Sequence, residues 1–255
     1  MPFLQHLGEL RRRLQWIVLA LAVVSVLLYF VSPWLVQFMF YPIRHSLPTD
    51  PVFLDPLEAF SVRFGLSFWA AVIVCSPLII WQSLAFLLPA LKPTERRFVV
   101  PTFFVIITLF AAGVVFCYTL ILPFSYQWLV AQAPAGTHYL PRADTTIQVV
   151  EFFLLAFGLA FQTPVVVFYL VFFGIVPYAK LRKSWRTVYL VIIVLACGIT
   201  PDWSWVTMVS LGVAMVILYE GCMLLCRVVL SKRITAQGEK AALAEAEARS
   251  EDESA

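Results

Sequence analysis

Charge is what this 255-residue chain has least of: Asp, Glu, Lys and Arg together make up 13% of it, against 62% apolar residues. A water-exposed globule carries about a quarter of its residues charged, so a soluble domain is excluded. Histidine is scarcer still. His6, His45 and His138 all lie outside the apolar blocks, so none is placed to activate a membrane-embedded serine, and zinc-protease spacing is absent. An enzyme is therefore not expected. No glycine-rich loop followed by lysine occurs, which leaves no visible means of using ATP. The five cysteines, Cys75, Cys117, Cys197, Cys222 and Cys226, lie in apolar blocks without metal-ligand spacing. They read as small buried hydrophobes with no disulfide, and neither a metal nor a cofactor is expected.

What remains is six apolar blocks, at about 16–40, 62–88, 98–122, 150–174, 187–200 and 205–226. The segments between them alternate in charge. Fifteen of the eighteen Lys and Arg fall in the N-terminal segment, the second and fourth connections and the tail. The positive-inside rule then predicts an all-α integral membrane protein with six transmembrane helices and both termini in the cytoplasm. The pI near 8.6 reflects those basic connections and not an affinity for nucleic acid. Arg11, Arg12 and Arg13 precede an apolar run of about 25 residues with no small-residue cleavage site after it, so the first block reads as an uncleaved anchor.

A hydrocarbon core of about 30 Å takes about 20 helical residues, and the first four blocks reach that length. The fifth does not: 15 residues separate Arg186 from Asp202, a helix of roughly 21 Å. A locally thinned bilayer, or a re-entrant hairpin, would accommodate it. Pro33, Pro77 and Pro164 fall inside blocks, and each is expected to interrupt its helix and free the carbonyl four residues earlier. The domain reading is a cytoplasmic amphipathic segment over 1–15 and a membrane domain over 16–230. The latter has proline- and aromatic-rich outer loops at 41–61 and 123–149 that build a compact cap. An acidic Ala/Glu-rich tail over 231–255 is expected to stay disordered.

The inner thirds of the first three blocks hold little polarity beyond Ser25 and Ser76. That counts against the alternative function, a proton- or ion-coupled small-molecule transporter, which needs polar groups at the bilayer midplane. One residue stands out there. Gln162 lies at the middle of the fourth block, beside Thr163 and Pro164.

Three segments resemble the TatC family, the multispanning receptors of the twin-arginine protein translocase: HLGELRRRL from His6, SPLIIWQSLAFLLPALKPTERR from Ser76, and AFGLAFQTPV from Ala156. The second is long and unusual enough to be specific, and the likeness covers about residues 3 to 230, with short fifth and sixth spans in the same order. The resemblance implies a receptor, not an enzyme, in the bacterial inner membrane. It would recognise the paired arginines of signal peptides on folded cargo and recruit single-span TatA-like and TatB-like partners. It would work as a homo-oligomer within a complex driven by the proton-motive force.

Two guanidiniums are best held by two separate carboxylates, and Glu9 and Glu95 are the only acids in the first two cytoplasmic segments. The bland reading of Glu9 is a helix pair with Arg13 at i+4 or Arg12 at i+3. Glu95 could merely balance Lys92, Arg96 and Arg97. Arg11 aligns with a sensitive family arginine, and Phe86 with a sensitive aromatic that would wall the signal peptide's apolar part. Pro42 and Pro77 match structural prolines of the family. Gln162 stands where the family more often has glutamate. It can still hydrogen-bond a partner helix but cannot take up a proton, or it pairs with the Ala160 carbonyl freed by Pro164. Thr200 and Asp202, in the link between the last two spans, complete the candidate docking positions. Asp202 alone reads equally as a helix N-cap, and Glu220 as an interfacial carboxylate.

Overall fold

The computed structural model describes residues 3–87, 99–134, 140–199 and 205–229. Glu95, Thr200, Asp202 and the 231–255 tail lie outside them. Helix α1 spans Phe3–Phe40, α2 Pro56–Val74, α3 Ser76–Leu87 and α4 Val99–Phe116. A π-helical turn over Cys117–Ile121 leads into α5, Leu122–Ala131. Helix α6 is Ala143–Ala160, α7 Thr163–Phe172, α8 Tyr178–Lys183, α9 Trp185–Ile199 and α10 Trp205–Val229. Among the described residues the six apolar blocks are helical apart from turns at Cys75, 161–162 and 173–174, and five helical segments are long and apolar enough to cross a membrane. Shorter apolar helices lie at Ser76–Phe86 and Trp185–Gly198. No strand occurs among the described residues, which show one isolated parallel bridge between Val52 and Arg142.

Several boundaries differ from the sequence reading, each for a local reason. Pro33 lies inside an uninterrupted α1, so it does not break that helix, which already begins at Phe3. The second block does divide, at Cys75, with Pro77 in the first turn of α3, a position where its missing N–H costs nothing. The expected loop over 123–149 is helical at both ends. Pro123 sits just after the π-helical turn, in which the Leu122 N–H reaches back to the Cys117 carbonyl. That wider turn carries the chain past a residue without an N–H donor, and helix resumes to Ala131. Likewise, α2 begins at Pro56, inside the predicted 41–61 loop. Asp55 caps it by accepting from the Leu57 N–H at 2.7 Å, and Glu58 reaches back to the Leu54 N–H at 3.0 Å. This is a reciprocal cap with Pro56 at the first position.

The described residues fall into two compact units, one drawn from 3–159 and 205–207, the other from 160–199 and 208–229. In the first, α1 packs along α2 and touches α3, which in turn packs on α4. Its two connections are laced together: the Val52 N–H donates to the Pro141 carbonyl and the Ala143 N–H to the Val52 carbonyl, both at 3.0 Å. Arg142 adds ion pairs to Asp144 at 2.9 Å and Glu58 at 3.7 Å. Helix α6 approaches α4 closely at Gly158, where an added Cβ would stand 2.7 Å from the Phe110 ring. The outward side of α1 presents Val23, Val26, Leu27 and Phe30, a run that water would not tolerate and that lipid or a partner helix covers. In the second unit, Val171, Phe172, Cys222 and Cys226 form a buried cluster flanked by Phe168 and Leu181. Four of the cysteines are buried, but Cys197 is exposed, unlike the buried hydrophobe its block suggested.

Candidate functional site

Glu9 and Arg13 stand one turn apart near the start of α1, so their side chains share a face. One oxygen of Glu9 accepts from both Nε and Nη2 of Arg13, at 3.1 and 2.5 Å. The third nitrogen, Nη1, donates to Oε1 of Gln82 on α3 at 3.0 Å. Arg13 thus ties the entry of α1 to α3. Together with Arg12 and Trp16 these side chains line a half-open pocket of about 270 Å³. Glu9 is 33% exposed and Arg13 24%, so the pair contributes only a few tenths of a kcal/mol. Its value is positional: a carboxylate that accepts one guanidinium is held at the edge of an open pocket.

Of the residues expected at this site, Glu9 lines the pocket and Arg11 does not. Arg11 is exposed, two residues from Glu9 and therefore on another face of the helix. Phe86 is half-buried near the end of α3, one turn beyond Gln82 on the same face. Glu95 lies outside the described residues, so its distance from Glu9 is not part of this geometry. Gln82 falls within the family-like segment, yet sequence reasoning gives it no role; a long amide on a largely apolar stretch, four residues before Phe86, was the available signal. Trp81 anchors α3 by meeting Phe103 edge-on at 5.1 Å.

Beside Gln162, the Ala160 carbonyl freed by Pro164 accepts the Thr163 hydroxyl at 2.7 Å. Gln162 is half-buried and ends the turn between α6 and α7, where its carbonyl receives the N–H groups of Val165 and Val166. Glu220 is also more than an interfacial acid. It accepts from Arg182 at 2.8 Å and from the Tyr189 hydroxyl at 2.6 Å, joining α8, α9 and α10. The carboxylate beside it holds the Arg182 guanidinium above its ordinary range, chiefly through that hydrogen bond. Pro42 is half-buried in the turn after α1, next to the fully buried Ile43.

Sequence reasoning passed over Arg63, which lies on α2 and donates from Nε to the buried Ser32 hydroxyl at 2.7 Å while its guanidinium sits 5.0 Å over the Tyr29 ring. At the second position of its block an arginine passes for a helix-end residue; the start of α2 at Pro56 carries it about two turns inside. No cluster of three or more His, Cys, Asp or Glu suited to a metal occurs among the described residues.

Comparison with known proteins agrees with this architecture. The family model "Sec-independent protein translocase protein (TatC)" matches residues 5–213. The Sec-independent protein translocase protein TatC of Deinococcus radiodurans is 36% identical over 232 residues, 89% of this chain and 86% of that protein. Its counterpart from Carboxydothermus hydrogenoformans is 28% identical over 240 residues, 93% and 97% of the two chains. A crystal structure of the twin arginine translocase receptor TatC superposes with a TM-score of 0.73 at 29% identity, covering 88% of this chain and 98% of that one. On the match over residues 5–213 and the extent of these likenesses, the chain belongs to the TatC family of Sec-independent protein translocase proteins.

Proposed function

We propose that this chain is the signal-peptide receptor of a twin-arginine translocase. It binds the paired arginines of folded cargo at its cytoplasmic rim through Glu9 and Glu95. Family membership supplies the translocase role, and the observation that carries the site is the Glu9 carboxylate already gripping a guanidinium beside an open pocket. An arginine side chain from a signal peptide offers the same planar fork as Arg13, whereas lysine offers a point charge that cannot reproduce it. Glu95 supplies the second acceptor. Arg11 keeps the rim electropositive, and Phe86 gives the apolar part of the signal peptide a wall to lie against. Pro42 and Pro77 shape the bundle.

In this reading the chain crosses the bacterial inner membrane six times, α2 with α3 making the second crossing and α9 the short fifth, and both termini face the cytoplasm. TatA-like and TatB-like single-span partners dock at the intramembrane positions Gln162, Thr200 and Asp202. Several receptor copies act together, and the proton-motive force drives passage. The chain itself catalyses no chemical step. Gln162 cannot titrate, so proton coupling does not run through that side chain.

Export of a twin-arginine reporter in cells whose only receptor is this chain tests the reading. Glu95→Ala is expected to abolish export while the protein still accumulates in the membrane. Normal export from that variant would remove Glu95 from the site.

A further inference from the structure

Helix α6 buries a second carboxyl group far from the rim. Glu151 is 5% exposed, and its Oε1 has no hydrogen-bond partner among the described residues. It lies eight residues into α6, roughly 12 Å along the helix, on the floor of a groove of about 250 Å³ within the first unit. The walls are apolar: Leu35 and Phe38 from α1, Leu66 and Trp69 from α2, Val115 from α4 and Leu154 from α6. The Trp69 indole N–H and Tyr118 are the other hydrogen-bonding groups in the lining. The Tyr118 hydroxyl already donates to the Phe38 carbonyl at 2.7 Å, and its ring stacks on Phe38 at 4.6 Å. Neither of these donors hydrogen-bonds the Glu151 Oε1, which has no partner among the described residues.

Such an acceptor in an apolar setting costs free energy until a donor reaches it. Lipid tails can cover the exposed rim residues Phe38, Val74 and Val115, but they cannot donate a hydrogen bond. The groove has room for side chains and not for a whole helix. We infer that Glu151 is the polar anchor of an intramembrane docking site, and that its occupant is a partner transmembrane helix lying along the rim that inserts one neutral amide or hydroxyl donor into the groove. Complementarity carries the choice: the groove's edge is apolar like a helix flank, and the Glu151 carboxyl lacks a hydrogen-bond partner that a neutral amide or hydroxyl supplies. The groove shares no lining residue with the pocket at Glu9, and the inference stands or falls independently of signal-peptide binding.

The test uses the full chain in lipid vesicles with a photocrosslinking side chain at Val74, and two synthetic 21-residue Leu/Ala transmembrane peptides. One peptide is wholly apolar, and the other carries Asn at each third of its length. The Asn peptide is expected to crosslink about three- to tenfold more efficiently, the range of interhelical hydrogen bonds in membranes. That preference should survive Glu151→Gln, whose carbonyl oxygen still accepts, and vanish in Glu151→Leu. Equal crosslinking of the two peptides to the unaltered chain would show a lipid-covered groove and overturn the inference, whatever the variants do. So would a preference that persists in Glu151→Leu.

Discussion

Glu151 and Glu220 are both carboxylates on apolar, membrane-length helices, and the chain treats them in opposite ways. Glu220 receives Arg182 and Tyr189 at 2.8 and 2.6 Å and so fastens three helices to one another. Glu151 is more deeply buried and has an oxygen with no donor among the described residues. A buried acid that is fully hydrogen-bonded is a structural tie. One left short of a partner works against the isolated fold until something supplies it. The same chain thus separates a carboxylate that builds the second unit from one that the first unit holds open.

The sharpest way to break this contrast is to remove each acid in turn and read the sign of the change in thermal stability in detergent. Glu220→Leu leaves a guanidinium and a hydroxyl without their acceptor and is expected to destabilise by about 1–2 kcal/mol, a modest figure because Glu220 is one-third exposed. A fall of several degrees in Tm is the result to look for. Glu151→Leu should leave stability unchanged or raise it by up to about 1 kcal/mol, since an apolar side chain in that groove has no unmet hydrogen bond. A large loss from Glu151→Leu would show that the carboxyl is already satisfied in the isolated protein. Tyr189→Phe isolates one donor of the Glu220 network and should cost about 0.5–1 kcal/mol, visible as a smaller Tm shift that is absent when the same change is made in a Glu220→Leu background.

The smallest expected effect belongs to the rim. Arg13→Gln breaks an exposed i,i+4 pair and should change stability by no more than about 0.5 kcal/mol. Tm in detergent, compared with the Glu220 variants, separates this surface pair from the embedded one.

The six apolar blocks and their helical character were legible because hydrophobic runs of membrane length have few other meanings. The pairing of Glu9 with Arg13 was legible too, as one of the two partners that helical spacing allows. Proline was less informative than its reputation. Pro33 sits inside an unbroken helix, Pro123 is passed by a π-helical turn, and Pro77 and Pro164 open new helical segments. What proline does depends on whether a neighbouring turn supplies the missing hydrogen bond, as Thr163 does for the Ala160 carbonyl, and single-residue reading does not show that. Glu151 escaped for a different reason. At the second position of its block it passes for a helix-end acid, and only the extension of α6 back to Ala143 carries it two turns inside. Arg63 was hidden in the same way by the early start of α2 at Pro56. In both cases the helix runs on past the end of its apolar stretch.

The central claim, that paired arginines are recognised at the Glu9 and Glu95 rim, is tested most directly by site-specific photocrosslinking from a probe at Thr94 in membrane vesicles. One signal peptide carries Arg-Arg and its match carries Lys-Lys. A crosslink that forms with Arg-Arg and is lost with Lys-Lys is the expected result. Equal crosslinking of the two peptides, or none with either in a folded and correctly oriented protein, would contradict it.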